Sequence, residues 1–573
     1  MISRRALPAV LVLVAISMVI TGTRSAGRGA KEGRSERVES VFYNARIYTM
    51  DDRIPFASAL ATGGGRIIAA GSDDEILALA SDASEKYDMK GATIVPGLVD
   101  AHAHFSGYAL SREWIDLTGT ASLDEVRELV RQRAAGAVKG RWIIGRGWDQ
   151  NDWEGPAFPG KNDFDDVCPD NPLYLVRVCG HAAVANPVAL GMAGIDAATP
   201  DPDGGRIEHD ASGEPSGILM DEAKSLVSRV IPKPSREDRK RLFVEAAAAC
   251  VARGLTGVHD MGIGSGTASI YRELYREELL PIRLTVYYSH EEEDIDSLLA
   301  AGPVRGYADG RFEAVGVKFY MDGSLGARSA ALLEDYSDDP GNRGILVTDP
   351  EVMLGGILEC SKKGFPAAIH AIGDRGNRTA LDILEKAGAG RPGYGLRHRI
   401  EHAQVLAPED AGRFAGLGVI PSMQFIHCTS DMPWAGDRIG ERRIRGAYAW
   451  RDLLASGCRI PGGSDFPVES IDPLRGIYAA VTRMGMEGDP PGGWFPDQCL
   501  TVGEALRAFT LDAAWAAAQE EERGSITPGK MADLTVLSRD IMKVPAREIL
   551  DTEVLMTVIG GQVVYTVSRP EPE

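Results

Sequence analysis

The chain has 573 residues, 44% of them hydrophobic and 25% charged, with a formal net charge of −20. It is too long for one simple core, so a large globular domain with additions is expected. Acidity without a basic run or an aromatic–basic stripe argues against nucleic acid as a partner and disfavours polyanionic substrates.

Arg4 and Arg5 precede an apolar run from Ala6 to Ile20, and a small, polar stretch follows from Thr21 to Ala30. That order matches the charged, apolar and cleavage regions of an export signal over residues 1–30, which implies a periplasmic or extracellular protein. Ser3-Arg4-Arg5 also resembles a twin-arginine signal. The apolar run is shorter than the ~20 residues of a spanning helix, and an uncleaved N-terminal membrane anchor is the alternative. No cysteine lies there for a lipid anchor. The seven cysteines of the chain are scattered without a Cys-x-x-Cys pair. They read as small buried hydrophobes rather than a disulfide framework, with Cys168–Cys179 the one pairing open in an oxidising compartment.

After a linker (Gly27 to Val38), SVFYNARIYTM and ALATGGGRIIAAG read as short strands separated by Asp-Asp and Gly-Gly-Gly turns. ADLTVLS and VLMTVIGGQVVY near the C-terminus have the same pattern. One small β-sandwich built from both termini, residues 39–92 and 525–566, is expected to flank a central domain over 93–524. That domain alternates apolar strands with helical stretches. The strands are ATIVPGLVDAH, LTGVHDM, IRLTVYY, AVGVKFYM, PAAIHA, RHRIEHAQ, GVIPSMQF and CRIPGGSD. Eight such units suggest an α/β fold of the (β/α)8 TIM-barrel type, with its active site at the C-terminal strand ends. Alternation alone would equally permit a doubly wound sheet. Residues 105–235 form an insert after the first strand, placed to cap the barrel mouth. Its Trp148, Asp149 and Trp153 either line a pocket or pack the insert's own core.

Ionisable residues gather at the expected strand ends. In TIVPGLVDAHAHF, His102 and His104 project to the same side of a strand beside Asp100, an arrangement that suits a divalent metal such as zinc. His370 ends PAAIHA, His402 ends RHRIEHA and Asp465 ends GGSD. Alternation turns Lys318 into the barrel, where a charged ammonium is costly and a neutral amine is favoured; pairing with Asp322 or another carboxylate is the alternative. Asp322, Arg328, His181 and His259 with Asp260 are candidates for binding substrate, with a helix cap the alternative for His181 and a turn for Asp260; His427 and Asp431 are weaker candidates. IGDRGNR and GIGSGTASI lack the Gly-Lys-Ser/Thr ending of a phosphate loop, and no Gly-x-Ser-x-Gly elbow is present.

The segments TIVPGLVDAHAHF, KFYMDGSLGARSAALLEDY, AIHAIGDRGNRTALD, RHRIEHAQ and GGSDFPVESIDPLRGI together resemble the YtcJ-like branch of the amidohydrolase superfamily, which includes N-substituted formamide deformylases. The resemblance runs from about Glu39 to Tyr565. It implies a barrel with a composite sandwich, a ligand set of His102, His104, His370, His402 and Asp465, and carbon dioxide taken up by Lys318 as a carbamate bridging two cations. GHAAVANPVAL departs from the family pattern after His181, where a serine is common. The expected function is metal-dependent hydrolysis of a non-peptide C–N (amide) bond in a small molecule. One or two divalent cations, zinc by default, would activate a water, with Asp465 as general base and then acid. An isomerase, lyase or esterase on the same site, or an exported binding protein without activity, are the competing readings. A homodimer is compatible with all of them.

Overall fold

A computed structural model describes residues 37–154, 157–178, 180, 182–202, 204–391 and 394–567. The export segment, Cys179, His181 and the C-terminal PEPE lie outside these residues. Among the described residues no helix is long and apolar enough to cross a membrane. Among the described residues six cysteines are free, all but Cys499 buried.

Eight strands pair in parallel around the central domain. They are β1 (Leu98–Ala103), β2 (Leu255–Ile263), β3 (Arg283–Ser289), β4 (Phe312–Tyr320), β5 (Ala367–Ala371), β6 (Arg399–His402), β7 (Ile420–Gln424) and β8 (Gly462–Gly463). Adjacent strands follow chain order from β1 to β8. Leu284, Ala314, Val317, Ile369 and Ile400 join the large apolar core with the surrounding helices, whereas Tyr287, Val315 and Ala368 form a separate small cluster. The helix Asp374–Ala387 illustrates the local logic: its buried Ala380, Leu381 and Leu384 recur at helical spacing, and Gly388 ends it in the left-handed conformation.

The barrel is drawn shut at the mouth. Asp465 N–H donates to the His102 carbonyl and His104 N–H to the Phe466 carbonyl, each at 2.8 Å. Asp100 accepts from Ser464 Oγ at 2.6 Å and from the Ser464 and His102 amides at 3.1 Å each. Its carboxylate therefore ties β1 to β8 and is not turned toward the imidazoles it was expected to accompany.

The run Thr93 to Phe105 is not one strand. Thr93–Pro96 pairs with Arg46–Tyr48 on one side and Leu534–Leu537 on the other, and only Leu98–Ala103 joins the barrel. The break is Gly97, where any Cβ would stand 2.3 Å from Thr256 Oγ1. Thr93–Pro96 thus belongs to a six-stranded sheet with Gln562–Thr566, Val554–Ile559, Leu534–Leu537, Arg46–Tyr48 and Phe56–Ala57. A four-stranded sheet of Arg66–Gly71, Ala59–Gly63, Ser40–Tyr43 and Glu85–Asp88 accompanies it. Phe42, Leu60, Ile47, Ile94, Leu534 and Val536 share one core between the two sheets. The sandwich is fastened to the barrel by a buried ion pair, Arg283 to Asp533 at 2.7 and 2.8 Å.

The insert leaves the C-terminal end of β1 at Phe105 and carries its own six-stranded sheet. Trp148, Trp153 and Phe164 pack against the helix Leu123–Ala135 on one face of it. Trp148 Nε1 donates to Leu175 O at 2.9 Å and Trp153 Nε1 to Thr120 O at 3.1 Å. These indoles are buried in the insert's own core.

Candidate metal centre

The two histidines of β1 are each held by one ring nitrogen. His102 Nδ1 lies 2.6 Å from Glu401 Oε2, and His104 Nδ1 lies 3.0 Å from the Met261 carbonyl. A carboxylate and a carbonyl accept only, so both rings carry their proton on Nδ1. Both Nε2 atoms then face the other way, 3.4 Å and 3.2 Å from Asp465 Oδ1. Burial opposes ionisation of Asp465, but its side-chain contacts with the His102 and His104 rings outweigh that and hold it well below the ordinary carboxylate range. Two lone pairs and an anionic oxygen cannot stand together without a proton or a cation between them. Two ligand atoms each about 2.1 Å from one tetrahedral ion stand roughly 3.4 Å apart. The spacing fits a cation.

Further groups converge from β5, β6 and β7. His402 ends β6 with φ of +73°, and Asp465 has φ of +64°. Both are sparsely populated conformations for a side-chain-bearing residue, kept by the paired strands around them. His370 and His402 have ring centroids 4.6 Å apart, and His402 and His102 5.0 Å. Burial, with the Lys318 charge, pushes His370 down to about 3, so its ring is neutral. His427, in the helix Phe425–Asp431, places Nε2 3.7 Å from Asp465 Oδ2. Lys318 is 1% exposed, and burial pushes its ammonium down to about 8. Among the described residues, Lys318 Nζ, His102 Nε2, His402 Nδ1, His427 Nε2 and Asp465 Oδ1 are all buried without a hydrogen-bond partner. Native proteins rarely leave such atoms unpaired, and several at one spot mark a place for a ligand. The donor set, imidazole with carboxylate oxygen, is that of a divalent transition metal.

Beneath this cluster lies a pair that the residue-by-residue reading missed. Arg399 and Glu401 face the barrel interior from β6, fully buried, with Arg399 Nε 2.8 Å from Glu401 Oε1. Arg399 Nη2 also donates to Ala101 O and Ser422 Oγ, each at 2.7 Å. Burial would raise the Glu401 carboxyl, but Arg399 and His102 hold it below the usual carboxylate range. The available signal was Arg and Glu two residues apart in RHRIEHAQ, hence on one strand face.

The residues expected to handle substrate are placed otherwise. His259 sits inside the barrel, its Nδ1 accepting from Arg399 Nη1 at 3.0 Å; burial and the guanidinium keep the ring neutral. Asp322 accepts three backbone amides, of Ala331, Ile372 and Gly373, at 2.9, 2.9 and 2.8 Å. It braces the loop after β4 and makes no ion pair with Lys318. Arg328 is outside the cluster, clamped on Asp338 at 2.8 and 3.1 Å. Asp260 accepts from Tyr271 OH at 2.7 Å. Asp431 accepts from Gln404 Nε2 at 2.9 Å and from Tyr448 OH.

Residues 85–565 match the model of the Amidohydrolase family. The chain is 34% identical over 541 residues to YtcJ of Bacillus subtilis (strain 168), covering 93% of this chain and 100% of that one. It is 30% identical over 549 residues to the N-substituted formamide deformylase of Arthrobacter pascens, covering 91% and 97%. The crystal structure of an uncharacterised metal-dependent hydrolase from Pyrococcus horikoshii OT3 superposes with a TM-score of 0.75 at 29% identity, over 88% of this chain and 99% of that one.

Proposed function

This chain belongs to the amidohydrolase family and is a hydrolase, and from that premise we propose that it cleaves a non-peptide amide C–N bond of a small molecule at a centre of one or two divalent cations, zinc by default. The observation that carries the reading is the convergence of His102 and His104 Nε2 on Asp465 Oδ1 at 3.4 and 3.2 Å. The formamide deformylase relative supports the choice of bond.

His102, His104, His370, His402 and Asp465 would hold the cations. Lys318 would join them as a carbamate: its neutral amine bonds to the carbon of carbon dioxide and loses one N–H proton, leaving an anionic oxygen ligand. A divalent cation supplies Lewis acidity, which lets water attack near neutral pH and polarises the substrate carbonyl. Asp465 takes the proton of the attacking water on a carboxylate oxygen and returns it to the nitrogen of the departing amine. Glu401 holds the proton on His102 Nδ1, so that Nε2 keeps its lone pair toward the site.

The test is release of a primary or secondary amine from a panel of N-substituted formamides and longer N-acyl amides. Activity should vanish on chelation and return with added zinc. Asp465→Asn should lower turnover by ~10²–10⁴. Turnover by metal-free protein would sink the metal reading, and conversion without released amine would sink the amide reading.

A further inference from the structure

We propose that His427 is a cation ligand, closing a second position with His402 and Asp465 on the side of the carboxylate away from His102 and His104. The inference rests on the metal reading above and adds a residue to its ligand set. Asp465 divides its two oxygens: Oδ1 stands 3.4 and 3.2 Å from the β1 imidazoles, and Oδ2 stands 3.7 Å from His427 Nε2. His402, His427 and Asp465 each offer one ligand atom, and these atoms all lie within 4.8 Å of one another. A second set with the same mutual spacing is His102, His104 and Asp465. The carboxylate is common to both, as a bridge between two cations would be.

His427 has little other employment. Its Nε2 and the Nδ1 of His402 are both buried without a hydrogen-bond partner among the described residues. At 3.7 Å the approach to Asp465 is too long for a hydrogen bond. It is close to the roughly 3.4 Å that separates two ligands of one tetrahedral ion. The rings of His402 and His427 are parallel within 13°, with centroids 5.8 Å apart. Asp431, one helical turn on, is committed to Gln404 and Tyr448 and leaves the imidazole free to turn toward the mouth. A histidine that only packed the core would have a carbonyl or carboxylate to satisfy Nε2, as His102 and His104 do for Nδ1.

Metal-stripped full-length protein titrated with Co²⁺, followed by calorimetry and visible absorption, reads the two positions separately. Wild type should take up two ions per chain. His427→Asn should weaken the second by at least about tenfold and leave the first unchanged, which also shows that the variant is folded. Millimolar imidazole should restore the second ion in the variant, which a purely structural role would not allow. His104→Ala should instead weaken the other position. Two ions bound by His427→Asn with wild-type affinities, or one ion in wild type indifferent to His427, would overturn the assignment while leaving the hydrolase reading intact. No Co²⁺ uptake by wild type would overturn the metal reading itself.

Discussion

Arg399 and Glu401 show at single-residue scale how a buried charge is made tolerable. Each is fully buried, and the two are paired at 2.8 Å. Glu401 then fixes the proton of His102. Removing one member leaves the other charge unpaired in the barrel interior. Glu401→Gln is therefore expected to cost roughly 3–5 kcal/mol of stability. It should also weaken metal binding by about 10–100-fold, because the His102 ring loses its charged anchor. Denaturant unfolding and metal titration of the same preparation check both; a loss under about 1 kcal/mol with unchanged metal affinity would reduce the pair to a spectator. Residues of this kind are half legible in a sequence. His102, His370, His402 and Asp465 stand out because each ends an apolar run. Arg399 and Glu401 also alternate onto one face, but two opposite charges at that spacing read equally well as a solvated strand. Asp322 was opaque for another reason: the amides it accepts belong to Ala331, Ile372 and Gly373, and only the folded loop brings them together.

At the scale of elements, the most exacting piece is β8, only two glycines long. A Cβ on Gly463 would stand 2.5 Å from the His102 amide nitrogen and 2.9 Å from Asp100 Oδ1. Gly463→Ala should push β8 away from β1 and strain the Asp100 tie to Ser464. The expected cost is ~1–3 kcal/mol, as for other overpacked interiors. Metal affinity should fall with it, since Asp465 lies only two residues on. Thermal unfolding with and without zinc measures this; an unchanged midpoint in both conditions would show that the closure is looser than the close approach implies. Why CRIPGGSD was expected as an ordinary strand is plain: its apolar start resembles the other seven. Pro461 has no amide hydrogen to give a ladder, and the glycines offer no side chain to pack, so regular pairing shrinks to two residues. The split of Thr93 to Ala103 was hidden by the opposite circumstance. Both halves are buried throughout, and a strand buried on both faces has no alternation to interrupt. Gly97 was the one local cue.

Across the whole molecule, the sandwich and the barrel meet over Arg283 and Asp533. Burial alone would raise the Asp533 carboxyl; Arg283 lowers it below its ordinary value. A carboxyl depressed in the folded state stabilises that state above its unfolded pKa of ~4 and loses the contribution as pH falls through the folded value. Asp533→Asn should lower stability at neutral pH by roughly 3–5 kcal/mol, because Arg283 stays buried without its anion. It should also flatten the fall in stability below about pH 4. Unfolding curves of wild type and variant over acid pH decide it: parallel curves would mean that the pair titrates no differently when folded. The two-ended sandwich itself was legible, because short strands and turns recur at both termini. Its fastening to the barrel was not, since Arg283 lies in an apolar strand and Asp533 just ahead of the strand Leu534–Leu537, with nothing in either to announce the other.

That two-ended construction sets a clock on the chain's birth. Thr93–Pro96 pairs with Leu534–Leu537, and ribosomes add about 5–20 residues per second. The earlier strand therefore waits on the order of tens of seconds, one edge open, for a partner still to be translated. Throughout that interval the nascent chain offers a sticky ribbon to any neighbouring strand, and only the synthesis of Leu534–Leu537 ends the exposure.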